Sequence, residues 1–598
     1  QSPMRAYRSL RILPRLGLSV RHVQMAPVQE RTGMFCFQCE QTDKNIGCER
    51  VGVCGKKADT AGLQDILMYT AMGLSGWAHA GRQVGVVSKR ADEVTLDAVF
   101  STLTNVNFSN ERLVSYIKQL LDAREDLKTQ VLAKNADVAA PDSVIYAGEH
   151  HPMNFQPKDT SVEGLEALVN TTPAGVLHRR EAIGSETLAG LHELLVYGVK
   201  GMAAYAHHAM VLGYTDDKVF AYLHEALAFL ASEECLDVNA TLGKLLACGE
   251  ANVVAMAQLD AANTSSYGVP TPKSVAIEPV EGKAILISGH DLKDLGLLLA
   301  QTEGTGINVY THGEMLPANT YPELNKYSHL KGNYGSAWMN QKIEFTAFPG
   351  PILMTSNCIM PPMPKYKNRL FTTNPVGFDG VKHIVADANG NKDFSEIIEA
   401  AKAAPGFGAQ AAPKEITVGF HHSAVLGIAD TVVEAVKAGH IKRFFVIGGC
   451  DGSEQERNYF KEVAQATPPD TVILTAGCGK FRFNKLDLGT VPNVGIPRVL
   501  DMGQCNDSYG AVVVALKLAE VFGTDINGLP LTLCISWFEQ KACAVLLSLL
   551  HLNVQGITLG PNLPAFLTPE ALSVLIDKFS IRAANVKDAA ADVKLFMG

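Results

Sequence analysis

The hydrophobic period of this chain changes once, across the polar, Gly- and Pro-bearing run at residues 263–273, and that change limits the folds open to it. Before it the pattern is helical. Leu188, Leu191, Leu194, Leu195, Val199 and Met202 recur at three- and four-residue steps and form one apolar face, and residues 63–72, 220–230 and 242–259 behave alike. After it, short aliphatic runs alternate with helix-like segments. AILIS, INVYT and ILMTS come first, then ITVGF, FFVIG, TVILT, RVLDM and LTLCIS, the signature of parallel sheets built from βαβ units. An Ala/Pro/Gly-rich stretch at 403–413 separates the two series. The expected class is therefore multi-domain α and α/β, with a helical segment over 34–270 and α/β domains over 271–411 and 412–598. A last helix is expected to close the chain, with Thr568 as its N-cap and Pro569 in its first turn.

The 598 residues, 47% hydrophobic and 19% charged, describe a globular protein with large cores. No apolar run approaches the roughly 20 residues that span a bilayer, and the richest, 542–552, reads as a buried helix, so no membrane partner is expected. A net charge of −9 argues against nucleic acid as a partner. That charge is uneven: six arginines and one glutamate give residues 1–33 a charge of +5, leaving −14 for the rest. An Arg-rich, acid-poor start resembles a targeting segment for a mitochondrion or a related organelle (hydrogenosome or plastid). The alternative is a basic tail on a cytoplasmic protein. A compact domain is expected from Met34.

Four cysteines open that domain. Cys36, Cys39, Cys48 and Cys54 have the spacing C-x2-C-x8-C-x5-C. A C-x2-C pair brings two sulfurs to one turn, and two more complete a four-thiolate set. An iron–sulfur cluster leads this reading, with structural zinc as its rival and disulfides a weaker alternative.

A second constellation lies at the strand ends. AILIS leads to His290, INVYT to Glu314 and ILMTS to Cys358. FFVIG leads to Cys450, TVILT to Cys478, RVLDM to Cys505 and LTLCIS to Glu539. Ligands bind at the carboxyl edge of open α/β sheets, so two facing sheets would bring these seven groups to one site. Any one of the cysteines alone reads as a small buried hydrophobe. Four at equivalent strand ends, two of them beside glycine and a third two residues after one, do not. Cys235, Cys248, Cys534 and Cys543 fall on helix faces or inside a strand and read as core, and His207 and His208 as bundle residues. Gly406, Gly408 and Ala411 fit G-x-G-x-x-A, but no strand precedes them and prolines flank them, so no dinucleotide site is expected there. Thiolates mixed with imidazole and carboxylate favour a more open, reactive iron than thiolates alone. Glu539, His290 and the nearby Lys541 are the groups expected near proton delivery.

The motifs MFCFQCEQT, SGHDLKDL, YTHGEMLPA, TSNCI, IGGCDGS, TAGCGKFRFN, GQCNDSYG and SWFEQKA, in this order, closely resemble the hybrid-cluster (prismane) protein family, from Met34 to the C-terminus. The resemblance implies a helical domain of two three-helix bundles followed by two Rossmann-like domains. It implies a [4Fe-4S] cluster on Cys36, Cys39, Cys48 and Cys54. It further implies a hybrid [4Fe-2O-2S] cluster on His290, Glu314, Cys358, Cys450 (as a persulfide), Cys478, Cys505 and Glu539. The activity implied is reduction of hydroxylamine, and also of nitric oxide. Electrons would come from a carrier such as a ferredoxin or an NAD(P)H-dependent reductase, and the chain would act as a monomer. A nitric-oxide-responsive sensor or S-nitrosylase using the same cluster is the alternative. Phe538 stands where some members have tyrosine before the glutamate, which removes one phenolic proton donor.

Overall fold

The computed structural model describes residues 33–598 except 142, 144, 147, 170 and 410–412. The basic segment over 1–32, Ala411 and the 411/412 domain boundary therefore lie outside the described residues. Met34–Gly598 forms one compact unit.

Six long helices occupy the first part: Ala58–Gln83, Lys89–Ser101, Asn110–Lys134, Glu186–Val211, Asp217–Phe229 and Val238–Tyr267. Four of the six starts are set by short polar side chains that accept from backbone N–H groups left over in the first turn. Ser88 accepts from Ala91, Ser185 from Leu188 and Asp237 from Ala240. The helix at 238–267 runs into the polar stretch expected to be a boundary and stops only at Gly268, whose φ of +80° suits glycine.

Two six-stranded, wholly parallel sheets follow. Across the first, the strands lie in the order Leu330–Asn333, Asn308–His312, Ala284–Ser288, Ile352–Met354, Leu370–Thr372 and Lys382–His383. Across the second, the order is Val499–Gly503, Thr471–Ala476, Arg443–Gly449, Leu531–Ser536, Thr558–Gly560 and Arg582–Ala583. Both orders reverse direction beside the first strand, which opens a crevice at the carboxyl edge. Successive residues face opposite sides, and both sides are covered. Ile285 and Ile287 pack with Leu295 and Ile397, while Leu286 packs with Tyr310 and Phe348.

Three expectations need correction. The run ITVGF joins neither sheet: Glu415–Val418 pairs antiparallel with Lys273–Ala276. Thr568 does cap the helix Pro569–Phe579, but that helix does not close the chain, because strand Arg582–Ala583 and helix Ala589–Met597 follow. Five sheet strands of two to four residues escaped the pattern, being too short to show a period.

The apolar run at 542–552 lies in helix Gln540–His551, which packs against helices Glu186–Val211 and Val238–Tyr267. No helix among the described residues is long and apolar enough to cross a membrane. Glycines make the close approach possible. A Cβ on Gly201 would lie 2.3 Å from the Gln540 carbonyl oxygen, and one on Gly249 would lie 2.1 Å from that of Leu547. Gly201→Ala is expected to cost about 1–3 kcal/mol through backbone displacement. Gly243→Ala, whose Cβ meets nothing within 4 Å, should instead stabilise by about 0.5–1 kcal/mol. Urea denaturation of the two variants checks both signs.

Candidate functional site

The N-terminal cysteines sit on a loop pinned by its own backbone. Cys36 and Cys48 exchange N–H···O bonds of 3.0 and 2.8 Å, and the Thr42 hydroxyl donates to the Cys36 carbonyl at 2.8 Å. Donors also reach the sulfurs: the Asp43 N–H lies 3.4 Å from Cys48 Sγ, and Lys56 Nζ lies 3.8 Å from Cys36 Sγ. Burial pushes the Cys39 thiol well up, and the negative charges of Cys54, Cys36 and Cys48 push it further. A bound cation would relieve that repulsion. All twelve cysteines are free thiols, so the loop is not held by disulfides.

That loop is fastened to the second sheet. The Glu40 N–H donates to the Phe538 carbonyl at 3.0 Å, and the Gln540 side chain donates to the Gln38 carbonyl at 2.6 Å. Beneath them Glu40 and Arg457 form a fully buried ion pair at 2.7 Å. Arg457 also donates to Ser536 Oγ and to the Trp537 carbonyl, each at 2.8 Å, and Asn562 donates to Glu40 at 2.6 Å. Cys39 shares one packed cluster with Phe538, Trp338, Cys358, Cys450 and Cys478. The two cysteine sets are thus neighbours.

The strand-end groups of the two sheets converge between their carboxyl edges. From the first sheet come His290, Glu314 and Cys358; from the second, Cys450, Cys478, Cys505 and Glu539. Contacts cross the gap repeatedly. Glu314 Oε2 lies 3.6 Å from His290 Nε2 and accepts from the Cys505 N–H at 2.8 Å. Lys541 Nζ donates to His290 Nε2 at 3.1 Å and to Asn357 Oδ1 at 2.8 Å, and lies 3.8 Å from Glu539 Oε1. Glu539 caps helix Gln540–His551 by accepting from the Lys541 N–H at 2.9 Å. His290 Nδ1 lies 3.0 Å from Ser356 Oγ. With Lys541 donating to Nε2, Nδ1 carries the hydrogen and the Nε2 lone pair faces the site.

The electrostatics describe a place prepared for positive charge. Burial holds His290 down at about 4, with Lys541 adding to the effect, so the ring is neutral at neutral pH. Burial would raise the Glu314 carboxyl, but His290 beside it and the nearby Lys480 and Lys541 outweigh burial, and the carboxyl falls to about 2. Burial pushes Cys505 up to about 12, and it pushes Cys358 and Cys478 well above the ordinary thiol range. Burial opposes the charge on Lys541, yet Cys505, Glu539, Cys358 and Glu314 together raise its pKa. Glu314 Oε1 is buried without a hydrogen-bond partner, and ligand atoms of His290, Glu314 and Cys505 lie within 4.8 Å of one another. An orphaned carboxylate oxygen, a neutral imidazole and clustered thiols fit an iron–sulfur group with mixed donors.

Other participants carried weaker sequence signals. Ser356, Asn357 and Gln504 are adjacent to marked strand-end residues and orient them. Gln504 donates to the carbonyls of both His290 and Glu314, at 3.2 and 2.8 Å. Tyr205 and His208 lie on an apolar helix face, where periodicity reads them as core. Yet Tyr205 is raised well above the usual phenol range by burial and then by Cys505. His208, read as a bundle residue, stacks on His290 with ring centroids 6.1 Å apart; neither of its buried ring nitrogens has a hydrogen-bond partner, and Nδ1 lies 3.9 Å from Asp291 Oδ2. His207 does behave as a bundle residue, paired with Asp97 at 2.7 Å. Cys235, Cys248, Cys534 and Cys543 are buried as expected.

Removing one member of a buried ion pair leaves the other charge unpaired. Arg457→Leu is expected to cost about 3–5 kcal/mol and to loosen the loop carrying Cys39. Denaturation midpoints together with cysteine alkylation rates check it.

Comparison with known proteins shows the family of the chain. The family model described as Prismane/CO dehydrogenase matches residues 34–594. A hydroxylamine reductase from Burkholderia lata is 50% identical over 564 residues, covering 94% of this chain and 98% of the relative. Another from Natranaerobius thermophilus is 51% identical over 560 residues, covering 92% and 97%. Carbon monoxide dehydrogenase IV from Carboxydothermus hydrogenoformans superposes with a TM-score of 0.53 at 15% identity, covering 95% of this chain and 92% of that one, a likeness of fold alone. On the match over nearly all of its length and on half-identical relatives, this chain belongs to the Prismane/CO dehydrogenase family.

Proposed function

We propose that this protein is an iron–sulfur oxidoreductase that reduces hydroxylamine to ammonia and water with two electrons and two protons. The observation that carries the reading is the meeting of seven metal-type donors from two parallel sheets, beside a four-cysteine loop, in a chain half-identical to proteins named hydroxylamine reductase. In this reading the helical part forms two three-helix bundles and both sheets are Rossmann-like. Cys36, Cys39, Cys48 and Cys54 hold a [4Fe-4S] cluster that takes single electrons from a carrier protein. His290, Glu314, Cys358, Cys450, Cys478, Cys505 and Glu539 hold a hybrid [4Fe-2O-2S] cluster, with Cys450 as a persulfide. The basic start of the chain is read as an organelle-targeting segment.

When bound, the mixed-donor cluster supplies electrons and a Lewis-acidic iron. The protein's own groups do the rest. Lys541 remains an ammonium with hydrogens aimed at His290 and Asn357, which makes it the group placed to hold a proton for the departing oxygen. Glu539 and Asn357 fix that ammonium, since Asn357 Nδ2 also lies 3.4 Å from Glu539 Oε1. Ser356 holds the His290 ring. Water is kept scarce by an apolar cavity of about 80 Å³ whose lining includes Tyr205, Met256, Cys450 and Cys505. That cavity also suits a small neutral diatomic and supports a second reading, reduction of nitric oxide to nitrous oxide.

Two measurements test the reading. Iron and acid-labile sulfide counts, with an EPR spectrum, should give a cubane and a second, non-cubane centre; a lone cubane would overturn it. Steady-state hydroxylamine consumption with a reduced carrier should separate an enzyme from a sensor, which turns over little. Lys541→Met is expected to keep both iron centres and to slow turnover by about 10²–10⁴-fold. Unchanged turnover at full iron content would remove Lys541 from proton delivery.

A further inference from the structure

A second group of ligand-type side chains shares no residue with either cysteine set. Asp260, on helix Val238–Tyr267, meets His421 and His422, which follow strand Glu415–Val418. One carboxylate oxygen serves both rings: Asp260 Oδ1 is 2.9 Å from His421 Nε2 and 3.9 Å from His422 Nδ1. One ligand atom from each of the three residues falls within 4.8 Å of the other two.

We propose that Asp260, His421 and His422 form a binding site for a divalent cation of the zinc class. In a tetrahedral zinc site with ligands at about 2.0–2.1 Å, neighbouring ligand atoms are about 3.3 Å apart. The two measured separations, 2.9 and 3.9 Å, bracket that edge, so small side-chain shifts complete the geometry. Three protein ligands leave a fourth position for water. Imidazole and carboxylate are the donors such a cation takes. His421 Nδ1 lies 2.8 Å from Ser423 Oγ, the kind of second contact that fixes a ligating ring.

A simple ion pair would need only one histidine. The ring nitrogens of His422 make no hydrogen bond to any described residue, yet its ring lies 3.9 Å, centroid to centroid, from that of His421 and turns toward the same carboxylate. Two protonated imidazoles would repel at that distance, whereas two neutral rings can share a cation. His422 and Asp260 each keep 17% of their side-chain surface open, which gives solvent ions a way in. Binding moves the hydrogen that His421 now donates to Asp260 from Nε2 to Nδ1, where it faces Ser423 Oγ, so the ring stays neutral.

The test uses the holoenzyme with its iron in place. After incubation with Zn²⁺ and gel filtration, wild type should retain one zinc per chain by elemental analysis, with iron and sulfide unchanged. Asp260→Asn and His422→Ala should each weaken zinc affinity at least tenfold in competition with a chromophoric chelator, at unchanged iron content. Zinc should raise the melting temperature of wild type and not of the variants. Equal zinc retention by wild type and both variants, or none by wild type, would overturn the proposal.

Discussion

The fully buried pair between Glu40 and Arg457 is the joint on which the two metal-type sites depend. A charge removed from water tolerates no vacancy opposite it, so the loop carrying Cys39 is obliged to stay against the end of strand Leu531–Ser536. Ser536, Trp537, Asn562 and Glu454 make further hydrogen bonds to the pair. The result is a fixed separation between two sets of sulfurs, with Phe538 and Trp338 packed beside them at a centroid distance of 4.6 Å. A relay of single electrons needs such constancy.

Around this joint the protein places more latent negative charge than a dry interior accepts. Seven strand-end donors and four loop thiols face fewer cations, among them Lys56 and Lys200 beside the loop and Arg457, Lys480 and Lys541 beside the sheets. The lysines balance part of it. Raised thiol pKa values and the orphaned Glu314 oxygen mark the part left over. Parallel sheets suit this arrangement because each strand delivers its side chains at one edge, while helices and core close both faces.

Much of this was legible in the sequence. Fully buried strands such as AILIS and LTLCIS announce themselves by uninterrupted apolar character, and a Cys, His or Glu just beyond such a run is conspicuous. Short outer strands such as Lys382–His383 and Arg582–Ala583 carry no such signature, since they bury little. ITVGF has a strand's composition yet joins neither large sheet, because pairing partner is a tertiary property that composition does not carry. Tyr205 and His208 were hidden for a different reason. On a helix buried all round, a polar side chain facing a site and one facing the core share a single periodicity.

The helix Gln540–His551 has a consequence for how the protein is made. Gln540 completes hydrogen bonds to Gln38, 502 positions earlier, and to Thr104, 436 positions earlier. At ordinary synthesis rates of about 5–20 residues per second, the first cysteines leave the ribosome roughly 25–100 s before that helix exists. Throughout that interval the four-thiol loop lacks the contacts that hold it in place, and the last helices supply them.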